Sequence, residues 1–177
     1  ESEGGLALAR ALADKPAAAL ALNNLGNVAI NQSNYMAARA LHEESLALRR
    51  EIGDKWGISV SLNNLGIVAN RLGDFVTTRA MFEESLALSR EIGDKQGISA
   101  SLNNLGIAAN YQGDQASAWA LHEQSLALRR ELDDKRGIAL SLNNLGFVAH
   151  EQRDYVKARA LHEESLALRR EMGDKST

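Results

Sequence analysis

The string Asn-Asn-Leu-Gly stands at residues 23–26, 63–66, 103–106 and 143–146, always 40 residues apart and without insertion. A second block keeps the same register: residues 41–52 read LHEESLALRREI and residues 161–172 read LHEESLALRREM. A fixed period of this length is the mark of a repeat architecture, and it constrains the fold more than any composition does. One unit cannot bury its own apolar face, so neighbouring units must stack.

Each unit reads as two helices. In the second copy, Leu62, Leu65, Gly66 and Ala69 fall at i, i+3, i+4 and i+7, one face of a helix over about residues 56–72. Gly73 suits the left-handed residue after that helix, and Asp74 suits the cap of the next. The second helix spans about 75–92, with Phe75, Thr78, Met81, Phe82, Leu86 and Leu88 expected to face inward. Gly93-Asp94 repeats the stop chemistry, whereas Ser33-Asn34, Asp133-Asp134 and Arg153-Asp154 lack the glycine. Pro16 fits a first helical turn, where a missing N–H costs little. Leu and Ala supply 26 and 28 of 177 residues against one Pro, a bias toward helix.

The pattern Leu22, Leu25, Gly26, Tyr35, Ala38 and His42, repeated down the chain, resembles the tetratricopeptide repeat. The 40-residue unit resembles the long-helix branch found in kinesin light chains and bacterial signalling proteins. The usual tyrosine three residues after the glycine is replaced by Ala29, Ala69, Ala109 and Ala149, and Gln115 replaces the aromatic of the third inner turn. The resemblance implies an all-α, right-handed solenoid of antiparallel hairpins over residues 1–177. Its repeats would cover about 16–55, 56–95, 96–135 and 136–175, after an orphan second-type helix at 2–13. In this reading Gly26, Gly66, Gly106 and Gly146 let the two helices of a hairpin approach, with Ala38, Thr78, Ala118 and Ala158 as their counterparts.

On a helical wheel the first helix is two-faced: Leu62, Leu65, Gly66 and Ala69 oppose Val60, Asn64, Ile67, Asn70 and Arg71. The resemblance implies that the second face lines a concave groove for a protein or extended peptide. Copy by copy it holds Asn23, Asn24, Asn27, Ile30 and Asn31, then Asn63, Asn64, Ile67, Asn70 and Arg71. The third copy supplies Asn103, Asn104, Ile107, Asn110 and Tyr111, and the fourth Asn143, Asn144, Phe147, His150 and Glu151. Asn is a poor helix former, so four Asn-Asn pairs need a reason. Their amides can hold a peptide backbone, or one of each pair can tie neighbouring first helices together, and both roles can coexist.

Other classes find less support. No cysteine is present, which removes disulfides and thiolate sites. A reduced cytosol permits such a chain but does not demand it, and a cytoplasmic setting is the expectation. The net charge of −3 and the scarcity of inner Lys or Arg argue against nucleic acid. No apolar run approaches the roughly 18 residues of a membrane span. His42, His122 and His162 share a position with Phe82, which speaks for packing, and neither a metal nor a cofactor is expected. Ser45, Ser85, Ser125 and Ser165 read as a packing site needing a small residue, and no catalytic constellation emerges, so the expectation is a non-catalytic scaffold. Charges on the second helices read mostly as a solvated face with Arg39–Glu43, Arg79–Glu83 and Arg159–Glu163 pairs, and Trp56 and Trp119 as covers of apolar seams or, alternatively, as binding anchors. The chain starts at Glu1 rather than methionine and reads as a processed piece. The last second-type helix is expected to leave Leu161, Leu166 and some of Val156, Ala160 and Ala167 partly exposed, predicting homo-oligomerisation through terminal helices. The alternative function is then an architectural segment with no peptide ligand.

Overall fold

The computed structural model describes residues 14–173 together with Gly4, Gly5 and Ala7. The expected helix at 2–13 lies largely outside the described residues, as do residues 174–177. Helices α1 (Lys15–Asn31), α2 (Tyr35–Ile52), α3 (Lys55–Arg71), α4 (Phe75–Glu91), α5 (Lys95–Tyr111), α6 (Gln115–Glu131), α7 (Lys135–Glu151) and α8 (Tyr155–Glu171) follow one another, and the described residues hold no strand. Two compact units divide the chain, Glu1–Gly97 and Ile98–Thr177. In the first, α1 packs on α2, α2 on α3 and α3 on α4; in the second, α6 packs on α7 and α7 on α8.

The helix starts are local chemistry. Asp14, Asn34, Asp54, Asp74, Asp114, Asp134 and Asp154 each accept a hydrogen bond from the backbone N–H three residues on. Such caps contribute about 0.5–2 kcal/mol apiece. The stops use the left-handed region: Gly73 has φ +78°, and Ser33, Asp133 and Arg153 are forced to +58°, +52° and +62° where the sequence offers no glycine. Pro16 lies in the first turn of α1.

The interior forms from leucines in register. Leu46, Leu62 and Leu65 make one cluster in the first unit. Leu126, Leu142 and Leu145 make its counterpart in the second, with Trp119, Leu161 and Leu168 against it. Burying one such side chain is worth about 1.5–3 kcal/mol. Phe75 departs from expectation and lies exposed at the start of α4, because its position precedes the buried face that begins at Thr78.

Three repeated devices lock the hairpins, and each refines the reading from sequence. The counterpart of the mid-helix glycine is an aromatic ring rather than the alanine: a Cβ on Gly26 would stand 2.6 Å from the His42 ring, and one on Gly66 2.5 Å from Phe82. Gly106 and Gly146 meet His122 and His162 in the same way. Ala38 packs instead with Ala29 and Val68. The repeated serine is more than small. The Ser45, Ser85, Ser125 and Ser165 hydroxyls donate to the carbonyls of Ala19, Ser59, Ser99 and Ala139, at 2.7–2.8 Å, each 26 residues back.

The third device takes two charges out of the mostly solvated face of the second helices. Arg49 and Arg129 are buried. Arg49 Nη1 donates to the Gly57 carbonyl, and Arg129 Nη1 to the Gly137 carbonyl and Ser141 Oγ, both at 2.8 Å. Gly57 and Gly137 leave the room: a Cβ there would collide with the arginine Cδ and with the capping carboxylates of Asp54 and Asp134. The remaining charges behave as expected, with Arg39–Glu43, Arg79–Glu83 and Arg159–Glu163 paired on the surface. Longer-range pairs, Arg50–Glu84 and Lys55–Glu91, join α2 to α4 and α3 to α4.

Candidate functional site

The paired asparagines of successive first helices meet. In the first unit Asn64 Nδ2 donates to Asn23 Oδ1 at 2.9 Å, and in the second Asn144 Nδ2 donates to Asn103 Oδ1 at the same distance. The leading Asn of one pair thus accepts from the trailing Asn of the next, 41 residues on. Asn23 and Asn103 are 7% and 3% exposed, so these amides hold the stack. A hydrogen bond of this kind contributes about 0.5–1.5 kcal/mol net, which offsets the poor helix propensity of Asn. Asn63 and Asn104 also make side-chain interactions, and Asn143 Oδ1 lies 3.2 Å from His162 Nδ1.

The rest of the expected face is open to different degrees. In the first unit Asn24, Asn27, Asn31 and Arg71 are exposed, and Ile30, Ile67 and Asn70 are half-buried. Asn70 Oδ1 is itself buried and has no hydrogen-bond partner. In the second unit, residues from α5 and α7 surround a cavity of about 330 Å³. Ile107, Asn110 and Tyr111 line it from α5, and Asn144, Phe147 and Glu151 from α7. Tyr111 is 67% exposed and Phe147 54%. Phe147 also stands edge-on to His162, with ring centroids 5.4 Å apart, and His150 stands edge-on to Tyr155 at the same separation.

His122 of α6 also lines this cavity, where the sequence alone suggests only packing. His122 is 1% exposed and its Nδ1 has no hydrogen-bond partner. Burial first, and then the charge of Arg129, lower its pKa from 6.5 to about 4, so the ring is neutral near pH 7. His42 is its equivalent in the first unit, lowered to about 4 by burial and by Arg49, with neither ring nitrogen partnered. The period carried the signal, since His122 follows Gly106 by the same 16 residues that separate His42 from Gly26.

A second cavity, of about 230 Å³, lies within the first unit and is lined from α2, α3 and α4. Leu46, Leu65, Val68 and Met81 are among its lining, with Arg39 and Glu43 on its edge. Trp119 is half-buried on the Leu126 cluster, with Lys157 Nζ 3.6 Å from its ring centroid, whereas Trp56 is exposed.

On α8, Val156, Ala160 and Ala167 are exposed, but so are their internal equivalents Val76, Ala80 and Ala87. Leu161 is half-buried like Leu41, Met81 and Leu121. Leu166 differs: it is half-buried where Leu46, Leu86 and Leu126 are buried. No helix among the described residues is long and apolar enough to cross a membrane, and none of their His, Asp and Glu side chains form a group of three or more able to hold a metal.

The sequence profile of the tetratricopeptide repeat matches residues 17–76, 57–131 and 120–171. No curated protein matches. Among solved structures the chain is similar to BtubC (BKLC) from P. vanneervenii, at 22% identity and TM-score 0.78, over 93% of this chain and 68% of that one. It is similar to a kinesin-light-chain-type protein of Podosopora anserina with nearly identical TPR-like repeats, at 16% identity and TM-score 0.70, over 99% and 86% of the two chains. MamA protein aligns at 12% identity and TM-score 0.63, over 99% and 94%. At these identities the likeness speaks for the fold alone.

Proposed function

Because the chain belongs to the tetratricopeptide repeat family, whose repeats mediate protein–protein interaction, we propose that it is a non-catalytic scaffold binding a protein segment on the face of its first helices. The observation that carries this reading is the cavity between α5 and α7, which gathers Ile107, Asn110, Tyr111, Asn144 and Phe147 around one opening. Asn23 and Asn103 hold the stack, so the groups offered to a ligand are the open ones. These are Asn27 and Arg71, with half-buried Ile67, in the first unit and Tyr111 and Phe147, with half-buried Asn110, in the second. Replacing Tyr111 and Phe147 by Ala together removes two large exposed rings without touching the buried clusters. Loss of a captured partner with an unchanged melting curve supports the groove. A partner that maps to the cavity beside Arg39 and Met81 opposes it.

Self-association is a second reading, favoured by Leu166, since Val156, Ala160, Leu161 and Ala167 are no more open than their internal equivalents. Light scattering across a concentration series, with Leu166→Lys as the control, tests it. A monomer at every concentration removes it.

A further inference from the structure

The two units present the same register with opposite chemistry. Shifting by two repeats places Asn31 at Tyr111, Ile67 at Phe147 and Arg71 at Glu151. The second unit's cavity therefore has two exposed aromatic faces and one carboxylate where the first has an amide, an aliphatic chain and a guanidinium. Glu151 is the one formally charged side chain lining the cavity, and it makes no ion pair among the described residues. Asn144 has spent an amide N–H on Asn103, which leaves its Oδ1 to accept. His122 adds a neutral, buried ring to the lining, which brings no positive charge. What the cavity lacks, against this supply of acceptors, is a cation.

Resting on the groove reading above, we propose that this cavity is the anchor point for a cationic side chain of the bound segment, arginine by preference. A guanidinium is flat, stacks on aromatic faces and donates several hydrogen bonds at once. Tyr111 and Phe147 supply the faces, Glu151 the counter-charge and Asn144 Oδ1 an acceptor. A carboxylate-bearing segment would meet Glu151 as a like charge and find few donors. An apolar anchor would bury Glu151 without a partner, which is costly.

Five-residue, end-blocked alanine peptides with a central arginine, citrulline, glutamate or tryptophan test this on the full chain. Methyl resonances of Ile107 report on the cavity and the indole of Trp119 on the outer helices. The arginine peptide is expected to perturb Ile107 and to bind about tenfold more tightly than its neutral citrulline isostere, and Glu151→Gln to abolish that difference. Equal response to arginine and citrulline, or preference for glutamate or tryptophan, overturns the cationic anchor while leaving the groove in place. So does an arginine peptide that leaves Ile107 unmoved at millimolar concentration while another peptide moves it. Peptides that perturb Trp119 and never Ile107 overturn the groove reading itself.

Discussion

Residues 41–51 and 161–171 are identical in sequence, yet α2 and α8 treat them differently. In α2, His42 is fully buried with both ring nitrogens unpartnered, Leu46 is buried against Leu62 and Leu65, and Arg49 is buried against Gly57. In α8, His162 is half-buried and lies beside Asn143 Oδ1, and Leu166 and Arg169 are half-buried as well. The difference is α3, which packs on the far side of α2, whereas no described helix packs there on α8. Burial, charge pairing and proton affinity in such a repeat belong to the neighbour as much as to the residue.

The largest test of this contrast is acid. His42 and His122 are lowered from 6.5 to about 4 by burial first and then by Arg49 and Arg129. The unfolded chain therefore binds protons below pH 6.5 that the folded chain refuses down to about 4. Stability is complete above 6.5 and falls through that window by roughly 3 kcal/mol per ring, less if the site relaxes. His42→Phe with His122→Phe should flatten the profile, since Phe82 already fills this slot in the second repeat. Urea unfolding at a series of pH values measures it, and an acid dependence unchanged in the double variant would show that these rings are not the cause.

Arginine sharpens the same contrast. Arg129→Ala should cost about 1.5–3 kcal/mol, the range for hydrogen bonds from a charged group, while Arg169→Ala should stay near zero. Equal midpoints in urea for the two variants would contradict the buried role of Arg129. Glycine comes next. Gly66→Leu must displace Phe82 from a closed interior and is expected to lose about 1–3 kcal/mol. Gly146→Leu should cost less, because the half-buried His162 ring has space to swing outward. Melting temperatures that fall equally would break the comparison.

The smallest effect is where the two regions should agree. Ser33 and Arg153 both sit at positive φ before a capping residue, and glycine there relieves a backbone cost that no neighbour sets. Ser33→Gly and Arg153→Gly should each raise stability by about 0.5–1 kcal/mol, and calorimetry should show the same gain in both.

Local order was legible from the residues because it is made by residues close in the chain. The 40-residue period, the Asp and Asn caps, the Gly and pseudo-Gly stops and the leucine stripe each involve groups within a turn or two of one another. Phe75 was misplaced because a wheel assigns direction without knowing where the covering helix begins. The glycine partner was misassigned for a related reason: Ala38 and His42 lie on the same face of α2, and only the crossing of α1 over α2 selects the ring. Of the expected face, the α5 and α7 residues could be placed by angle alone, but the cavity they line with His122 requires a third helix.

Repetition in the chain settled that helices would form, where they would stop and which stripe each would bury, since those are consequences of backbone geometry and short-range capping. Tertiary structure alone settled which polar groups became interior. Asn23 and Asn64 are 41 residues apart, and Ser45 and Ala19 are 26, so no local rule pairs them. Arg49 and Arg50 are adjacent and chemically identical, yet one is buried and the other exposed. A 100° step on one helix separates them, and the energy of each depends on whether a neighbouring carbonyl or water waits at the end of that step.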